Sequence, residues 1–408
     1  MLGELGFAVR APIRSSARAL LQQRMFEDSL PPRVLHCVER MHTNAIETWL
    51  VRMQRHALNA GLPIDWHYHV QSIEPGALEG QYQEQLSDRV IRSRRSLSPP
   101  WAFFRDFHEV CRMGNYDVVH VHADLMSAPY LAAARLACHA KLIVHLHNGC
   151  MELPVGSAIK KALLREPMRR ICLALADKIV GVSNYTLDIF LRSRPRRPGR
   201  DVVLNLGVES KPFLKASANR ERFRRELGLA EGSLVLLFAG RLCSEKNPLF
   251  AISVLSELRK LEPRAVGVFA GSGAEEQPLR QRALELGLGG VTRFLGWRAD
   301  IPDIMCCSDW FIHSGPEYPM EGFGLAVVEA QLAGLRLLLS RGVQQDTLLP
   351  GSCIRSLSLA EPAAIWAQAA YSQLEETPPN RGQAARALAN SPMDMDRALA
   401  DLLRLYQP

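Results

Sequence analysis

The sequence predicts an α/β protein made of two Rossmann-like domains, each built on a parallel sheet. Its 408 residues are too many for one ordinary core and suit two domains of roughly 150–200 residues each. From Arg33 onward, short β-branched segments alternate with amphipathic helical segments, which is typical of parallel strands joined by crossover helices. Apolar residues make up 47% of the chain and charged residues 22%, as in ordinary globular proteins.

The alternation defines the domain organisation. The predicted strands are 33–38, 64–70, 117–122, 141–146, 178–182 and 202–204 in the first half, and 234–239, 265–270, 291–294, 310–313 and 336–340 in the second. An Arg- and Pro-rich segment, 192–200, precedes a hinge near Gly207. We therefore expect an N-terminal extension over 1–32 that is either amphipathic or flexible, domains over 33–207 and 208–376, and a helical tail over 377–408.

Charge is unevenly distributed along the chain. Residues 1–205 contain 27 Lys and Arg against 19 Asp and Glu, whereas the remainder contains 22 against 23. A basic first half favours an anionic partner such as a membrane surface, a lipid-linked phosphate or a nucleic acid; the alternative is an ordinary solvated face. No apolar segment approaches the ~18–20 residues that cross a bilayer, and no signal peptide is evident, so we expect a cytoplasmic protein. The nine cysteines form no C-x-x-C pair and are expected to be reduced and mostly buried.

The strongest chemical signal is the segment EGFGLAVVE, which follows a predicted strand and opens a predicted helix. It separates Glu321 from Glu329 by seven residues, so Glu329 is expected about two turns inside the helix and Glu321 in the turn before it. The helix N-terminus can hold a phosphate, and the two carboxylates can bind sugar hydroxyls and a ribose diol. The residues assigned to this ligand site are Gly322, Phe323, Gly324 and Leu325, in addition to the glutamates. The alternative is that Glu321 only caps the helix and Glu329 is exposed.

Two further loops in the second half follow predicted strands. Gly240 and Arg241 end the strand SLVLLFAG, and Lys246 follows five residues later, which suits the charge of a pyrophosphate. Gly271-Ser-Gly273 lacks a third glycine, so it is either a simple strand-to-helix turn or a phosphate-side loop.

These motifs resemble the family-four retaining glycosyltransferases of GT-B fold, whose hallmark is a Glu, seven residues and a second Glu. The likeness extends from about residue 33 to 373. It implies two Rossmann-like domains whose sheets face each other across a cleft, and a nucleotide-sugar donor linked to UDP or GDP. It also implies hexosyl transfer with retention of anomeric configuration, without a metal ion or other cofactor. In the family the first glutamate contacts the donor sugar and the second the ribose, which assigns those roles to Glu321 and Glu329.

The resemblance also bears on the acceptor. The segment HLHNG and the ending LLLSRGVQQDTLLPG resemble exopolysaccharide and capsule transferases. A glycan or lipid-linked acceptor and an anionic membrane surface are thus the expected partners, with no nucleic acid, and the chain is expected to be peripheral at the inner face of the membrane.

Histidines concentrate in the first half. In LIVHLHNG, His145 and His147 lie on the same side of a predicted strand, and family members keep a histidine at this strand end near the sugar, which assigns that role to His147. His145, His120 and His122 are interpreted as core histidines. A metal site is not expected, because no His, Asp and Glu set has helix or hairpin ligand spacing.

The sequence departs from the family in its first strand-to-helix loop. Asn44 and Ala45 stand where a pair of glycines is usual on the acceptor side, and Leu206 replaces the usual Asn before the hinge glycine. Ala45 lacks the conformational freedom of glycine, so activity could be lost. A non-catalytic donor-binding subunit is therefore one alternative function, and a sugar-nucleotide epimerase of similar architecture is the other.

One motif resembles a metal-binding element of a different enzyme class. Asp394-Met-Asp396 has the D-x-D pattern of metal-dependent glycosyltransferases, but it follows Ser-Pro and precedes a helical segment. Helix capping is the interpretation we favour.

Overall fold

The structure is a computed structural model that describes residues 31–42, 44–94, 100–150, 153, 157–216, 219–377 and 379–407. The extension predicted over 1–32 lies outside these residues, apart from Pro31 and Pro32. The described part of the chain forms two parallel sheets covered by helices, so the predicted fold class is confirmed.

The strands fall into two groups along the chain. They are β1 Arg33–Val38, β2 Asp65–Val70, β3 Val90–Arg92, β4 Val118–Val121, β5 Lys141–Leu146, β6 Lys178–Gly181, β7 Asp201–Val203, β8 Leu234–Ala239, β9 Ala265–Ala270, β10 Thr292–Gly296, β11 Trp310–His313, β12 Arg336–Ser340 and β13 Ile354–Leu357. Within the described residues the first sheet has the order β3-β2-β1-β4-β5-β6-β7 and the second β10-β9-β8-β11-β12-β13. Every neighbouring pair is parallel.

The helices connect successive strands or follow the last one. They are α1 Ala45–Asn59, α2 Ala77–Gln81, α3 Gln83–Leu86, α4 Pro100–Gly114, α5 Ser127–Ala137, α6 Ala158–Leu175, α7 Asn184–Leu191, α8 Lys211–Ala216, α9 Arg220–Glu226, α10 Pro248–Leu261, α11 Glu276–Glu285, α12 Ile301–Cys306, α13 Leu325–Leu332, α14 Ala363–Ser372, α15 Arg381–Ala389 and α16 Met395–Tyr406. Among these described helices, none combines the length and the apolar character that a bilayer span requires.

The central strands are buried on both faces, as parallel strands between helical layers must be. All residues of β4 and β11 are buried. The predicted strands are confirmed to within two residues at each end, but the edge strands β3 and β13 were not predicted. Both are short, and their residues are half-buried or exposed, so they lack a continuous apolar segment. Five of the nine cysteines are buried, and none of the nine forms a disulfide with another described residue.

The last helix returns to the first domain. The backbone N–H of Val208, in the linker, donates to the carbonyl of Met393 at 2.8 Å. A Cβ on Gly207 would lie 2.9 Å from the Cβ of Ala398, so the linker backbone packs directly on α16. Tyr406, at the end of α16, is buried and bonds to His120 in the first sheet at 2.9 Å. The final helix therefore fastens the hinge region to the N-terminal domain.

A histidine on α1 also contacts the linker and the last helix, and these three segments form a junction. His56 Nδ1 lies 3.0 Å from Glu209 Oε1 in the linker, and its Nε2 lies 2.6 Å from Asp396 Oδ1 on α16. The bonds to Asp396 and Glu209 raise the pKa of His56 from 6.5 to about 9. The imidazolium thus joins three segments of the chain at neutral pH.

We predict that this junction makes stability depend on pH. A raised pKa in the folded state gives stability that is complete below pH 6.5 and is lost as the pH rises through about 9. The shift corresponds to at most about 3 kcal/mol, and solvent screening reduces this to roughly 1–2 kcal/mol. Thermal unfolding of the wild type and His56→Gln should differ most near pH 6 and least near pH 10. The exposed His139→Gln serves as control, and a wild-type to His56→Gln difference independent of pH would contradict the assignment.

Candidate active site

A cleft of about 720 Å³ lies between the two domains. Helix α1 lines it from the first domain, and the carboxyl ends of β8, β9 and β11 line it from the second. Parallel strands place all their carboxyl ends at one edge, which is where open α/β sheets bind ligands.

Most of the residues singled out from the sequence face this cleft. Those lining it are Asn44, Ala45, Gly240, Arg241, Lys246, Gly271, Glu321, Gly324, Leu325 and Glu329. Gly322, Phe323 and His147 are not among its lining residues. Phe323 is buried in the hydrophobic core instead. The functional roles of these residues stay predictions.

Glu321 lies between two basic side chains. Its Oε2 accepts a hydrogen bond from the Lys246 ammonium and lies 3.2 Å from His313 Nε2. Burial acts to raise the pKa of Glu321, but the nearby Lys246 and His313 outweigh it and hold the pKa well below its usual range. Glu321 is therefore an ionised carboxylate with a fixed orientation in the cleft wall.

Helix α13 begins only at Leu325. Gly324 has a φ of +69°, a left-handed conformation that glycine adopts without strain, and it turns the chain into the helix. Glu329 is consequently the fifth helical residue, so it lies about one turn inside α13 rather than the two turns expected. Its side chain is close enough to the N-terminus for both to contact one ligand.

Glu329 also contacts the opposite domain. Arg52, on α1, donates from Nη1 to Glu329 Oε1 at 3.1 Å, and the glutamate side chain is only 14% exposed. This ion pair spans the cleft. Both glutamates of the motif thus have a cationic partner, one from each domain.

The EGFG loop touches the first domain through its backbone. A Cβ on Gly322 would lie 1.9 Å from the carbonyl oxygen of His147, a distance that no side chain tolerates. Asp124 holds the opposing loop, since its Oδ1 accepts from the backbone N–H of His147 at 2.8 Å and its Oδ2 accepts from the Asn148 side chain at 2.5 Å. Gly322 is therefore required for the two domains to approach each other here.

The ring of His147 points toward the first sheet. Its Nε2 lies 2.9 Å from His122 Nδ1, while its Nδ1 is buried without a hydrogen-bond partner among the described residues. Burial lowers the pKa of His147 to about 3, so the imidazole is neutral at pH 7.

The loop at Asn44 and Ala45 does not need glycine. Asn44 has an extended backbone with φ −75° and ψ 165°, and Ala45 is the first residue of α1. Neither conformation penalises an L-residue. The loss of the usual glycine pair is thus compatible with ordinary backbone geometry at both positions.

Asp394-Met-Asp396 is confirmed as a helix cap. Asp394 accepts from the backbone N–H groups of Asp396 and Arg397 at the start of α16. Asp396 is bonded to His56, in the junction between linker and last helix.

Three residues of the site were not predicted from the sequence: Arg52, Asp124 and His313. His313 ends strand β11, and a polar residue at the carboxyl end of a buried parallel strand could have identified it. Arg52 contacts a residue of the other domain, and Asp124 contacts a neighbouring loop. No local sequence pattern identifies either residue.

Two family models match the chain. Residues 68–207 match the family described as glycosyl transferase 4-like domain, and residues 219–345 match glycosyl transferases group 1. Together they cover nearly two thirds of the sequence. The chain is 23% identical over 380 residues to EpsF of Bacillus subtilis strain 168, which is provisionally described as a glycosyltransferase; the match covers 93% of this chain and 97% of EpsF.

Other relatives match over part of their length. A D-inositol 3-phosphate glycosyltransferase of Streptomyces avermitilis is 31% identical over 288 residues, covering 66% of this chain and 58% of the relative. An Escherichia coli UDP-Gal:alpha-D-GlcNAc-diphosphoundecaprenol alpha-1,3-galactosyltransferase is 27% identical over 236 residues, covering 57% and 60%. The chain therefore spans about three fifths of the length of these two proteins.

Solved structures share the fold. HepE of Anabaena in complex with UDP and glucose superposes with a TM-score of 0.72 at 17% identity, covering 91% of this chain and 98% of HepE. WaaG, a glycosyltransferase involved in lipopolysaccharide biosynthesis, superposes with a TM-score of 0.66 at 15% identity, covering 91% and 99%. This chain and both solved structures therefore have the same two-domain fold.

Proposed function

Because the chain belongs to the family-four glycosyltransferases of GT-B fold, related to exopolysaccharide biosynthesis, we propose that it transfers a hexosyl group with retention of anomeric configuration. The donor is a UDP- or GDP-linked sugar and the acceptor a glycan or lipid-linked sugar. The observation that carries this proposal is the placement of Glu321 and Glu329 on either side of the N-terminus of α13, facing Lys246 and Arg241 in the same cleft.

The donor is proposed to lie along the second-domain wall. Glu329 accepts hydrogen bonds from the ribose diol, and the free N–H groups at the start of α13 hold the diphosphate. Arg241 is exposed in the cleft and forms no ion pair with another described residue, so its guanidinium is available for phosphate oxygens. Glu321, fixed by Lys246 and His313, accepts from the sugar hydroxyls.

No side chain acts as a nucleophile in the proposed transfer step. The bond between the sugar C1 and the diphosphate oxygen breaks, and the acceptor oxygen bonds to C1 on the same face. The acceptor proton passes to the leaving phosphate oxygen, whose developing charge Arg241 and Lys246 offset. His147 touches the EGFG loop only through its backbone carbonyl and does not line the cleft, so it is given no role in this step.

The alternatives considered from the sequence gain little support. The non-catalytic subunit was inferred from Asn44 and Ala45, whose backbone geometry is ordinary. The family relationship favours a transferase over an epimerase.

We predict that Glu329→Gln and Glu321→Gln impair different steps, substrate binding in the first and catalysis in the second. Glu329 binds ribose in the ground and transition states, so Glu329→Gln should raise the donor KM and weaken nucleotide diphosphate binding roughly ten- to hundredfold. Glu321→Gln should lower kcat by about a hundredfold and leave nucleotide diphosphate binding nearly unchanged. Steady-state kinetics and calorimetry with UDP and GDP measure both effects. Glu285→Gln, on the surface helix α11, is the matched control.

Two results would contradict this division of roles. One is equal weakening of nucleotide diphosphate binding by both cleft variants, and the other is an unchanged rate in both. The stereochemistry of the product, read by NMR of its anomeric proton, tests retention separately.

We predict that transfer does not depend on a metal ion at the diphosphate, because Arg241 and Lys246 supply the positive charge there. Initial rates in excess EDTA and in added Mg²⁺ or Mn²⁺ should agree within about twofold. Turnover that EDTA abolishes and a divalent ion restores at once would overturn the proposal.

A basic amphipathic helix suggests how the protein reaches a lipid-linked acceptor. Of the residues of α6, only Cys172 and Leu173 are buried. Ile159 is 73% exposed and Leu163 is 69% exposed, in a segment that also carries the cations Lys160 and Lys161. Apolar side chains beside cations favour binding to an anionic bilayer surface. We therefore assign membrane docking to α6.

We predict that the double variant Ile159→Ser, Leu163→Ser loses roughly tenfold or more of its affinity for phosphatidylglycerol vesicles. Leu284→Ser, on α11 of the second domain, removes a comparably exposed leucine and should bind as the wild type does. Co-sedimentation at low and high salt measures both. Vesicle binding that does not depend on anionic lipid or on salt would refute the assignment. An equal loss of affinity in Leu284→Ser would also refute it.

A further inference from the structure

Five histidines converge inside the first domain. Parallel pairing places His36 of β1 beside His120 of β4, and His122, His145 and His147 follow at the carboxyl ends of β4 and β5. Neighbouring ring centroids lie 4.2 to 5.3 Å apart. All five side chains are buried, and none lines the cleft.

The rings are linked through their nitrogens. His36 Nδ1 lies 3.1 Å from His122 Nε2, and His122 Nδ1 lies 2.9 Å from His147 Nε2. Tyr406 Oη, from the last helix, lies 2.9 Å from His120 Nδ1 and 3.5 Å from His36 Nε2. This series connects the loop behind the cleft to the C-terminal helix.

Hydrogen bonds alone do not account for the cluster. His120 Nε2 and both ring nitrogens of His145 are buried with no partner among the described residues. Buried polar atoms without partners are costly and need an explanation. A proton relay does not supply one, because the series of bonds ends at His120 Nε2, where no described group receives a proton.

We propose that His36, His120 and His122 form a binding site for a divalent transition-metal ion of the zinc class. One ring nitrogen of each lies within 4.8 Å of one ring nitrogen of each of the others. Around a tetrahedral zinc ion with Zn–N bonds of about 2.0–2.1 Å, neighbouring nitrogens lie about 3.4 Å apart. The 3.1 Å separation of His36 Nδ1 and His122 Nε2 needs only a small adjustment to meet this.

The chemistry of the ligands selects the metal. Three buried imidazoles and no carboxylate suit zinc, cobalt, nickel or copper, whereas magnesium and calcium prefer oxygen ligands. A metal-bound histidine usually donates a hydrogen bond from the ring nitrogen that faces away from the metal, here called the outer nitrogen. Tyr406 Oη lies close to the outer nitrogens of His120 and His36, and His147 Nε2 lies close to that of His122.

A second combination, His122, His145 and His147, meets the same distance criterion. We favour the first because Tyr406 and His147 support its outer nitrogens, while His145 has no such support. Spacing along the sequence did not reveal the site, since the ligands come from two strands that only the sheet brings together. The site is separate from the donor cleft, and its proposal does not depend on the transfer reaction.

The test is metal binding by the full chain without a histidine tag. After growth with added zinc, mass spectrometry should find one zinc ion per chain, and titration of metal-free protein with Co²⁺ should give the visible absorption of a tetrahedral nitrogen site. Phe replaces histidine with a ring of similar size, so His36→Phe and His122→Phe should lose both signals. Tyr406→Phe keeps the three ligands and should weaken binding about 10- to 100-fold.

Two control variants separate the outcomes. His145→Phe should keep the metal, and loss of binding there would transfer the site to the second combination. His69→Phe should also keep it, because His69 is equally buried in the same sheet with both nitrogens unpartnered, but lies among Phe103, Phe107 and Tyr130. Circular dichroism establishes that each variant folds. Wild-type protein that takes up neither Zn²⁺ nor Co²⁺ would overturn the proposal whatever the variants do.

Discussion

Parallel pairing of every strand in both sheets is the constraint on which the site depends. It sends all the carboxyl ends of a sheet to one edge, so the polar residues that follow β8, β9 and β11 are gathered without being near each other in sequence. It also aligns His36 with His120 inside the first sheet. The cleft and the histidine cluster are thus two results of one arrangement.

Charge in the cleft is balanced in pairs. Glu321 is held by Lys246 of its own domain, and Glu329 by Arg52 of the other. A buried carboxylate stays ionised only when a cation or several hydrogen bonds compensate its desolvation. In the proposed donor complex, a diphosphate beside Lys246 would add a second anion to the same cation, and the exposed Arg241 in the cleft would share that charge.

The sequence predicted most of this architecture because parallel strands are continuous apolar segments and the EGFGLAVVE motif is local. Seven residues between Glu321 and Glu329 are enough to place both carboxylates near one helix end. The start of α13 was misplaced by a turn, because only the conformation of Gly324 shows where the helix begins. Arg52, Asp124 and the histidine cluster could not be predicted, since their partners lie in other segments that meet only after folding.

The return of α16 to the first domain has a consequence for synthesis of the chain. Tyr406 packs against the strands of the N-terminal sheet, and Met393 pairs with the linker, so this domain includes residues from both ends of the sequence. On the ribosome, the second domain is synthesised completely before the first can acquire its last element. Until α16 has left the ribosome, the N-terminal domain therefore stays incomplete, and Trp66 and His120 lack their contacts with Tyr406.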